Sequence, residues 1–332
     1  MPKRTVFVIG AGASAPYAVP LGKSLIRQVA DALPFVIDGP QGYRPPEAEP
    51  NTQYPFGCTS PTAKRLQRRI AQSTPFQTID QFIARQPEPD RTFLLQAMIW
   101  ALWQAEEVAV NSTTDEQEDW IGWLLANRMH SSIDSRKLPH TCFVTFNYER
   151  TVLLRMALQI ASFTSSFLKD CVKELQKPDE HHPCPKARFS HVYGQIGVDP
   201  IPINEECQFD FQRDHTLLTE ATKNTGVMFE SEDTALSARQ QRATATHFYE
   251  QLWEWAEQII FLGFGFHSDN LDRICLTPTA LGVVGKRGFI GGTGYRMSPV
   301  DQGRIRDWAG SAFILAPPEI KIIPFLDQHL IL

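Results

Sequence analysis

The sequence has no apolar segment of membrane-spanning length and no closely spaced cysteines. Its apolar runs fall short of the roughly 20 residues that a helix needs to cross a bilayer. Met1-Pro-Lys-Arg4 leads into a strand-like run rather than a secretory signal. The six cysteines lie far apart and include no Cys-x-x-Cys pair. We therefore expect a cytoplasmic protein with reduced cysteines, without a disulfide framework or a structural zinc site.

An excess of basic charge is also missing. The 32 lysines and arginines are outnumbered by 37 aspartates and glutamates, which gives a net charge of -5. This balance provides no footprint for nucleic acid, so we expect neither direct nucleic-acid binding nor membrane association. A local basic cluster, Lys64-Arg65 with Arg68-Arg69, has the spacing of the solvated face of a helix. The sequence also has no Walker phosphate loop, no Argonaute region and no internal repeat.

What the 332 residues do contain is an alternation of strand-like and helix-like segments. The alternation predicts an α/β fold: a Rossmann-like parallel sheet with helices on both faces, plus a helical subdomain. We expect one domain over 1–332, with a proline-rich insertion at 34–61 and the helical subdomain at about 76–138. The predicted strands are Thr5–Ile9, Thr141–Tyr148, Phe189–Val198, Ile259–Gly265 and Ile320–Phe325. Helical patterns cover Leu21–Leu33, Phe93–Trp103, Glu149–Phe167 and His247–Gln258, and a capping box predicts another helix from Ser298.

A glycine turn follows the first predicted strand. Gly10, Gly12 and Ala15 have the G-x-G-x-x-A spacing, and a helical pattern follows within a few residues. Such a turn lets the backbone approach an anion, and its N–H groups can receive a pyrophosphate. A tight turn that binds nothing has the same pattern, so both interpretations stay open.

Polar residues follow several predicted strands. They are found in the segments from Gly10 to Ser14, Thr145 to Tyr148, His191 to Gly194 and Gly263 to Asn270. Because ligands of open parallel sheets gather beyond the carboxyl ends of the strands, we expect these segments to converge on one crevice.

Three of these segments resemble, in order, the signature of the sirtuin-like (silent information regulator-like) NAD-binding family. They are Gly10-Ala-Gly-Ala-Ser14 with Pro20, Thr145-Phe-Asn-Tyr-Glu149 and Gly263-Phe-Gly-Phe-His-Ser-Asp-Asn270. Ile79-Asp-Gln-Phe82 is similar to a further segment of the bacterial branch. The resemblance implies that NAD is the ligand, as substrate, and the absence of Cys-x-x-Cys pairs leads us to expect no metal. His181-His-Pro-Cys184 offers metal-ligand types, but no fourth partner is apparent.

The resemblance implies two catalytic residues, Asn147 and His191. Asn147 would contact the ribose and place the attacking water, although it could instead cap the helix that follows. The family histidine usually stands directly before a glycine, whereas Tyr193 precedes Gly194 here. We keep His191 as the candidate base, because alternate strand residues share a face and lie about 7 Å apart. A structural histidine that bonds a loop is the alternative.

The resemblance also implies cofactor contacts by residues of the glycine turn and of the later motifs. These residues are Gly10, Ala11, Gly12, Ser14, Asp80, Thr145, Gly263, Gly265, Asp269 and Asn270. Helix capping is the alternative for Ser14, Asp80 and Asp269.

The implied function is hydrolysis of NAD to nicotinamide and ADP-ribose in antiphage defence, where NAD is depleted on infection. An NAD-dependent protein deacylase and a non-catalytic NAD-sensing or ADP-ribose-sensing module are the alternatives. In related systems the partner is a HerA-like hexameric ATPase or a short Argonaute protein. Because uncontrolled hydrolysis is toxic, we expect control by assembly and a homo-oligomer.

Overall fold

The structure is a computed structural model that describes residues 3–38, 61–72, 78–129, 140–176, 189–193, 196, 215–224 and 236–330. The proline-rich residues 39–60 and the segment His181–Cys184 lie outside this part of the chain, so their predicted roles remain predictions. Within the described residues, no helix combines the length and apolar character needed to span a bilayer.

The fold is built on a parallel sheet of six strands in the order β3-β2-β1-β4-β5-β6. The strands are Thr5–Ile9 (β1), Thr141–Thr145 (β2), Phe189–His191 (β3), Gln258–Leu262 (β4), Phe289–Gly292 (β5) and Phe313–Leu315 (β6). This order is that of the Rossmann fold, and it reverses between β1 and β4. The predicted α/β, Rossmann-like class is therefore confirmed.

The helices occupy both faces of this sheet and one further layer. They are Lys23–Asp38 (α1), Pro61–Ala71 (α2), Ile79–Ala84 (α3), Asp90–Asn111 (α4), Trp120–Met129 (α5), Thr151–Thr164 (α6), Leu168–Gln176 (α7), His215–Asn224 (α8), Leu236–Trp255 (α9), Ser268–Arg273 (α10), Pro278–Arg287 (α11), Pro299–Ala309 (α12) and Ile322–His329 (α13). Two short 3₁₀ turns, Ala11–Ala13 and Ala15–Tyr17, separate β1 from α1.

The central strands are apolar and fully buried because helices cover both of their faces. Phe7 and Phe143 face a core with α5, α6, α7 and α13, whereas Val8 and Phe261 face a second core with α9, α11 and α12. A third core belongs to α1, α2, α3, α4 and α8, where the ring centroids of Phe35 and Trp100 are 3.7 Å apart.

The first helix extends into the segment that the sequence predicts to be an irregular insertion. It begins at Lys23 rather than Leu21 and continues through Pro34 to Asp38. Proline removes one helical hydrogen bond, but Leu33 and Phe35 on either side of it are buried in the third core. Packing of this apolar face keeps the helix intact where the proline alone favours an end.

The predicted last strand at Ile320–Phe325 is wrong. This segment enters α13, whose Phe325 and Leu326 are buried, and the last strand is instead β6. A short apolar run fits a strand or one side of a helix, so its period did not decide between them. The predicted strand Phe189–Val198 is likewise shorter, because it ends at His191 and residues 192 and 193 form a turn.

Candidate functional site

The loops after β1 and β4 meet at the point where the strand order reverses. The N–H of Gly12 donates to the carbonyl oxygen of Gly263 at 3.1 Å. Gly263 has a positive φ of 57°, and a Cβ atom there would lie 2.1 Å from the backbone nitrogen of Ala13. A Cβ on Gly10 would lie 2.5 Å from the carbonyl oxygen of Gly263. The glycines are therefore required by the contact between the two loops, irrespective of any ligand.

Three N–H groups of the glycine turn are occupied within the protein. Besides Gly12, Ala13 donates to the carbonyl oxygen of Gly10 at 3.0 Å and Ser14 to that of Ala11 at 3.1 Å. The turn continues into the two 3₁₀ turns rather than directly into α1. These N–H groups thus lack the free geometry that the sequence pattern predicts for a pyrophosphate. Ala11 and Ala15 are the exposed residues of this turn.

A cavity of about 530 Å³ lies beside these loops. Of the predicted cofactor residues, Gly12, Gly263 and Gly265 line it. The rest of its wall comes from Ala15, Pro16, Phe264 and His267 of the two loops and from residues to which the sequence assigned no ligand role: Gln117, Glu118, Thr293, Tyr295, Arg296, Met297, Asp301, Lys321, Ile322 and Ile323. Its position outside the carboxyl ends of the strands, at the reversal of strand order, is where Rossmann-like folds bind ligands.

Asn147 is not among the described residues that line this cavity; it lies at the centre of a buried hydrogen-bond network that includes Ser14, whose neighbour Ala15 does line it. Its side-chain Nδ2 donates to Ser14 Oγ at 2.9 Å and to Glu149 Oε1 at 2.8 Å. Its backbone N–H donates to Thr145 Oγ1 at 3.1 Å. The residue that caps α6 is Arg150, so capping by Asn147 is excluded. Ser14 also makes no helix-capping bond, because its hydroxyl faces this network.

Glu149 is a member of this network that the sequence did not single out. Its Oε2 accepts a hydrogen bond from the N–H of Thr151 at 2.8 Å. Burial raises the pKa of Glu149 to about 7. The hydrogen bonds from Ser14 and Thr151 lower this pKa, whereas the negative charge of Glu106 raises it further. The signals available in the sequence were its place in the motif Thr145-Phe-Asn-Tyr-Glu149 and its position two residues after a candidate catalytic asparagine, whereas its burial is not visible there.

A second buried acid, Glu106, forms an ion pair with Arg150, which follows Glu149 in the chain. Arg150 Nη2 lies 2.8 Å from Glu106 Oε2, and both side chains are at least 95% buried. The Glu106 Oε1 atom also accepts a bond from the Arg150 backbone N–H. This ion pair links α4 to the end of β2, and thus attaches the helical layer to the site.

His191 bonds the backbone of Asn147. Its Nδ1 lies 3.2 Å from the Asn147 carbonyl oxygen. Because a carbonyl only accepts, Nδ1 carries the proton and Nε2 has a free lone pair. The ring is partly exposed, yet Nε2 is buried and has no hydrogen-bond partner among the described residues. Burial lowers the pKa of His191 to about 4, with a further lowering by the charge of Arg150, so the ring is neutral at pH 7.

Tyr193 and Tyr148 connect the remaining predicted residues to this site. Tyr193 Oη donates to Asn270 Oδ1, and Tyr148 Oη donates to Asp80 Oδ1 at 2.6 Å. The two rings lie 5.8 Å apart between centroids. Burial raises the pKa of Tyr193 above its ordinary value, against the opposing charge of Arg273.

The capping alternatives for the two aspartates are wrong. Thr78 caps α3, with Asp80 at the second helical position, and His267 is the N-cap residue of α10, ahead of Asp269. Asp269 is exposed, although its negative charge contributes to the raised pKa of Tyr193.

The predicted shared face of His191 and Tyr193 is not formed, because β3 ends at His191 and the side chain of Tyr193 reaches Asn270 from a turn. Within the described ranges, no cluster of three or more histidine, cysteine, aspartate or glutamate side chains could hold a metal ion.

The structure thus joins residues from five separate segments of the sequence. Ser14, Thr145, Asn147 and His191 are directly hydrogen-bonded, Asp80 and Asn270 join through the two tyrosines, and Gly12, Gly263 and Gly265 line the adjoining cavity. No model of a protein family matches the sequence, and neither does any curated protein. The class of protein that the fold defines is Rossmann-like α/β.

Proposed function

We propose that this protein hydrolyses NAD to nicotinamide and ADP-ribose, the activity that the resemblance to the sirtuin-like family implies. The observation that supports this most is a pair of buried acceptors. Asn147 Oδ1 and His191 Nε2 have no hydrogen-bond partner among the described residues. Unpaired buried polar atoms are costly and call for an explanation. Each atom could accept a hydrogen bond from a water molecule or a ribose hydroxyl.

The position of the network relative to the cavity supports an extended ligand. Gly12 lines the cavity, and Ser14, two residues further on, bonds Asn147. A dinucleotide with its adenosine half in the cavity would therefore have its other half within reach of Asn147 and His191. Because Gly263 and Gly265 have no side chains, the dinucleotide could pass close to the backbone of the loop after β4. We infer that the phosphates pass over the exposed side of the turn, since the inner N–H groups are occupied.

The chemistry suits the small number of polar groups at the site. The bond between ribose C1′ and the nicotinamide nitrogen breaks, and its electron pair returns to the pyridine ring, which leaves neutral. Water adds to C1′ and one proton is released, which yields ADP-ribose. No general acid is needed, so the protein has to position the water and stabilise the cationic ribose. Asn147 Oδ1 would orient the water, and the His191 Nε2 lone pair would accept its proton.

We further propose that this activity serves antiphage defence by NAD depletion and is controlled by assembly. The chain would act as a homo-oligomer, alone or with a HerA-like ATPase or a short Argonaute protein, as the resemblance implies. Exposed apolar side chains are available for such contacts. Phe163 and Phe167 are 64% and 71% exposed.

The test is nicotinamide release from NAD by the purified protein, alone and with each candidate partner. We expect release by the wild-type chain in at least one of these conditions, and its loss in Asn147→Ala. The matched control is Asn127→Ala, because Asn127 is an exposed asparagine on α5. An acyl-lysine peptide included in parallel separates deacylation from hydrolysis. NAD binding without any release would instead support the sensing module.

A further inference from the structure

We propose that Glu149 is a positioning residue that sets which way the carboxamide of Asn147 faces and thereby aims its Oδ1 atom into the site. The inference that Asn147 Oδ1 faces a reacting water rests on the proposed NAD hydrolysis. The fixed orientation itself does not, since it follows from the contacts of the two side chains.

The nitrogen end of the Asn147 carboxamide faces Glu149 and Ser14. The Asn147 nitrogen lies 2.8 Å from Glu149 Oε1 and 2.9 Å from Ser14 Oγ. An ionised carboxylate only accepts hydrogen bonds, so the group facing it must be the NH₂. With the amide reversed, two acceptor oxygens would meet at this distance. The ionised acid therefore selects one of two sterically equivalent orientations.

In this orientation the two ends of the Asn147 carboxamide have different surroundings. Both protons of the Asn147 NH₂ are used, one by Glu149 and one by Ser14. The Oδ1 atom is then the end that remains, and it is buried without a partner among the described residues. A side chain with its donors bound and its acceptor vacant is prepared to receive a hydrogen bond from a ligand.

The Glu149 carboxylate is held in place by hydrogen bonds of its own. Its Oε2 is held by the N–H of Thr151 at the start of α6, and the Ser14 hydroxyl bonds the same carboxylate. Contacts from two elements fix the carboxylate, so it can act as a template for its neighbour. A protonated acid would lose this selectivity because its O–H could donate to the reversed amide.

The charged and titratable groups around Glu149 determine when it is ionised. Glu106 on α4 opposes its ionisation, whereas Arg150 is engaged with Glu106. His191 on β3 contacts the far side of Asn147 and is neutral. The pKa of Glu149 near 7 then implies that the orientation is selected above neutral pH and released below it.

The first measurement observes the orientation without any reaction. Selective nitrogen-15 labelling of the seven asparagines resolves their side-chain NH₂ signals, and the loss of one pair in Asn147→Ala identifies Asn147. We expect this pair in the wild-type protein to shift with a midpoint near pH 7, as the acid at its side titrates. In Glu149→Gln the pair should persist without the titration. The matched control Glu250→Gln, at an exposed position of α9, should titrate like the wild type.

The second measurement uses turnover. In Glu149→Gln, kcat should fall about 100-fold, as expected for a misplaced catalytic group, and its pH dependence near 7 should disappear. KM for NAD should change little. Glu149→Asp, which retains a carboxylate, should restore part of the rate and the pH dependence.

The two measurements separate failure of this proposal from failure of the proposed function. A pair of Asn147 signals that ignores pH in the wild-type protein, or that titrates equally in Glu149→Gln, would overturn the positioning role. If the titration behaves as expected but no NAD is cleaved, the orientation stands and NAD hydrolysis is what fails.

Discussion

The Nδ1 atom of His191 lies 3.2 Å from the backbone carbonyl oxygen of Asn147, so the two candidate catalytic residues are joined directly. This contact fixes the histidine tautomer and leaves its Nε2 atom free to accept a proton. It also makes the end of β3 part of the same site as the end of β2.

His191 should make the protein sensitive to acid. Its pKa is about 4 in the folded protein against an ordinary 6.5, so the unfolded chain binds more protons between these values. The stability is therefore unaffected by His191 above about pH 6.5 and falls as the pH drops toward 4. Relative to wild type, His191→Gln should gain up to about 3 kcal/mol in free energy of unfolding over this interval. Chemical denaturation at a series of pH values measures it.

The control for this prediction is His247→Gln, because His247 is exposed on α9. Its pH profile of stability should follow that of the wild type. An unchanged profile in His191→Gln as well would mean that the imidazole is not desolvated in the folded protein.

The ion pair between Glu106 and Arg150 should be needed for stability. Glu106→Gln removes the negative charge of an ion pair in which both side chains are buried, which should cost about 3 kcal/mol. The half-exposed pair of Lys321 and Glu118 is the matched comparison, and Glu118→Gln should cost less than about 1 kcal/mol. Urea denaturation of both variants measures the two losses in free energy of unfolding. Equal small losses would contradict a structural role for the buried pair.

Gly263 should tolerate no side chain. Gly263→Ala adds a Cβ at a φ of 57° and 2.1 Å from the nitrogen of Ala13, so the β1 and β4 loops have to separate. We expect a loss of about 3 kcal/mol from strain and overpacking. Gly282→Ala on α11, where a Cβ meets nothing within 4 Å, should be neutral or slightly stabilising. Thermal unfolding distinguishes them, and a stable Gly263→Ala would show that the loops are not held together in this way.

Gly265 tests whether the cavity holds part of NAD. Gly265 lines the cavity and is exposed, and a Cβ there meets only the ring of His267, at 3.3 Å. Gly265→Leu should therefore fold but fill part of the space, and weaken NAD binding about tenfold, equivalent to about 1.4 kcal/mol. The dissociation constant from calorimetry is the measurement. Unchanged binding would exclude this cavity from the coenzyme site.

Much of the fold and of the site could be predicted from the sequence because parallel strands impose their own geometry. The apolar runs of β1, β2 and β4 predict a buried sheet, and the carboxyl ends of such strands share an edge. This is why Ser14 and Asn147 meet although 133 positions separate them. The parallel pairing of β1 with β2 brings the residues that follow the two strands together.

The sequence says least where distant contacts decide. The G-x-G pattern fits both a phosphate-binding turn and a tight turn that binds nothing, and the contact that restricts Gly10 and Gly12 is with a second loop that arrives from Gly263. The role of Glu149 depends on its burial beside Glu106, which no local pattern reveals. The segment before α13 has a strand-like composition, yet the burial of Phe325 and Leu326 selects a helix.

The most direct test of the whole account is a time course of NAD consumption with both products quantified, run in parallel for wild type, Asn147→Ala and Asn127→Ala. We expect nicotinamide and ADP-ribose in equal amounts from the wild type and from Asn127→Ala, with a loss of at least about 100-fold in Asn147→Ala. Equal rates for all three proteins, or no products from the wild type with any candidate partner, would contradict it.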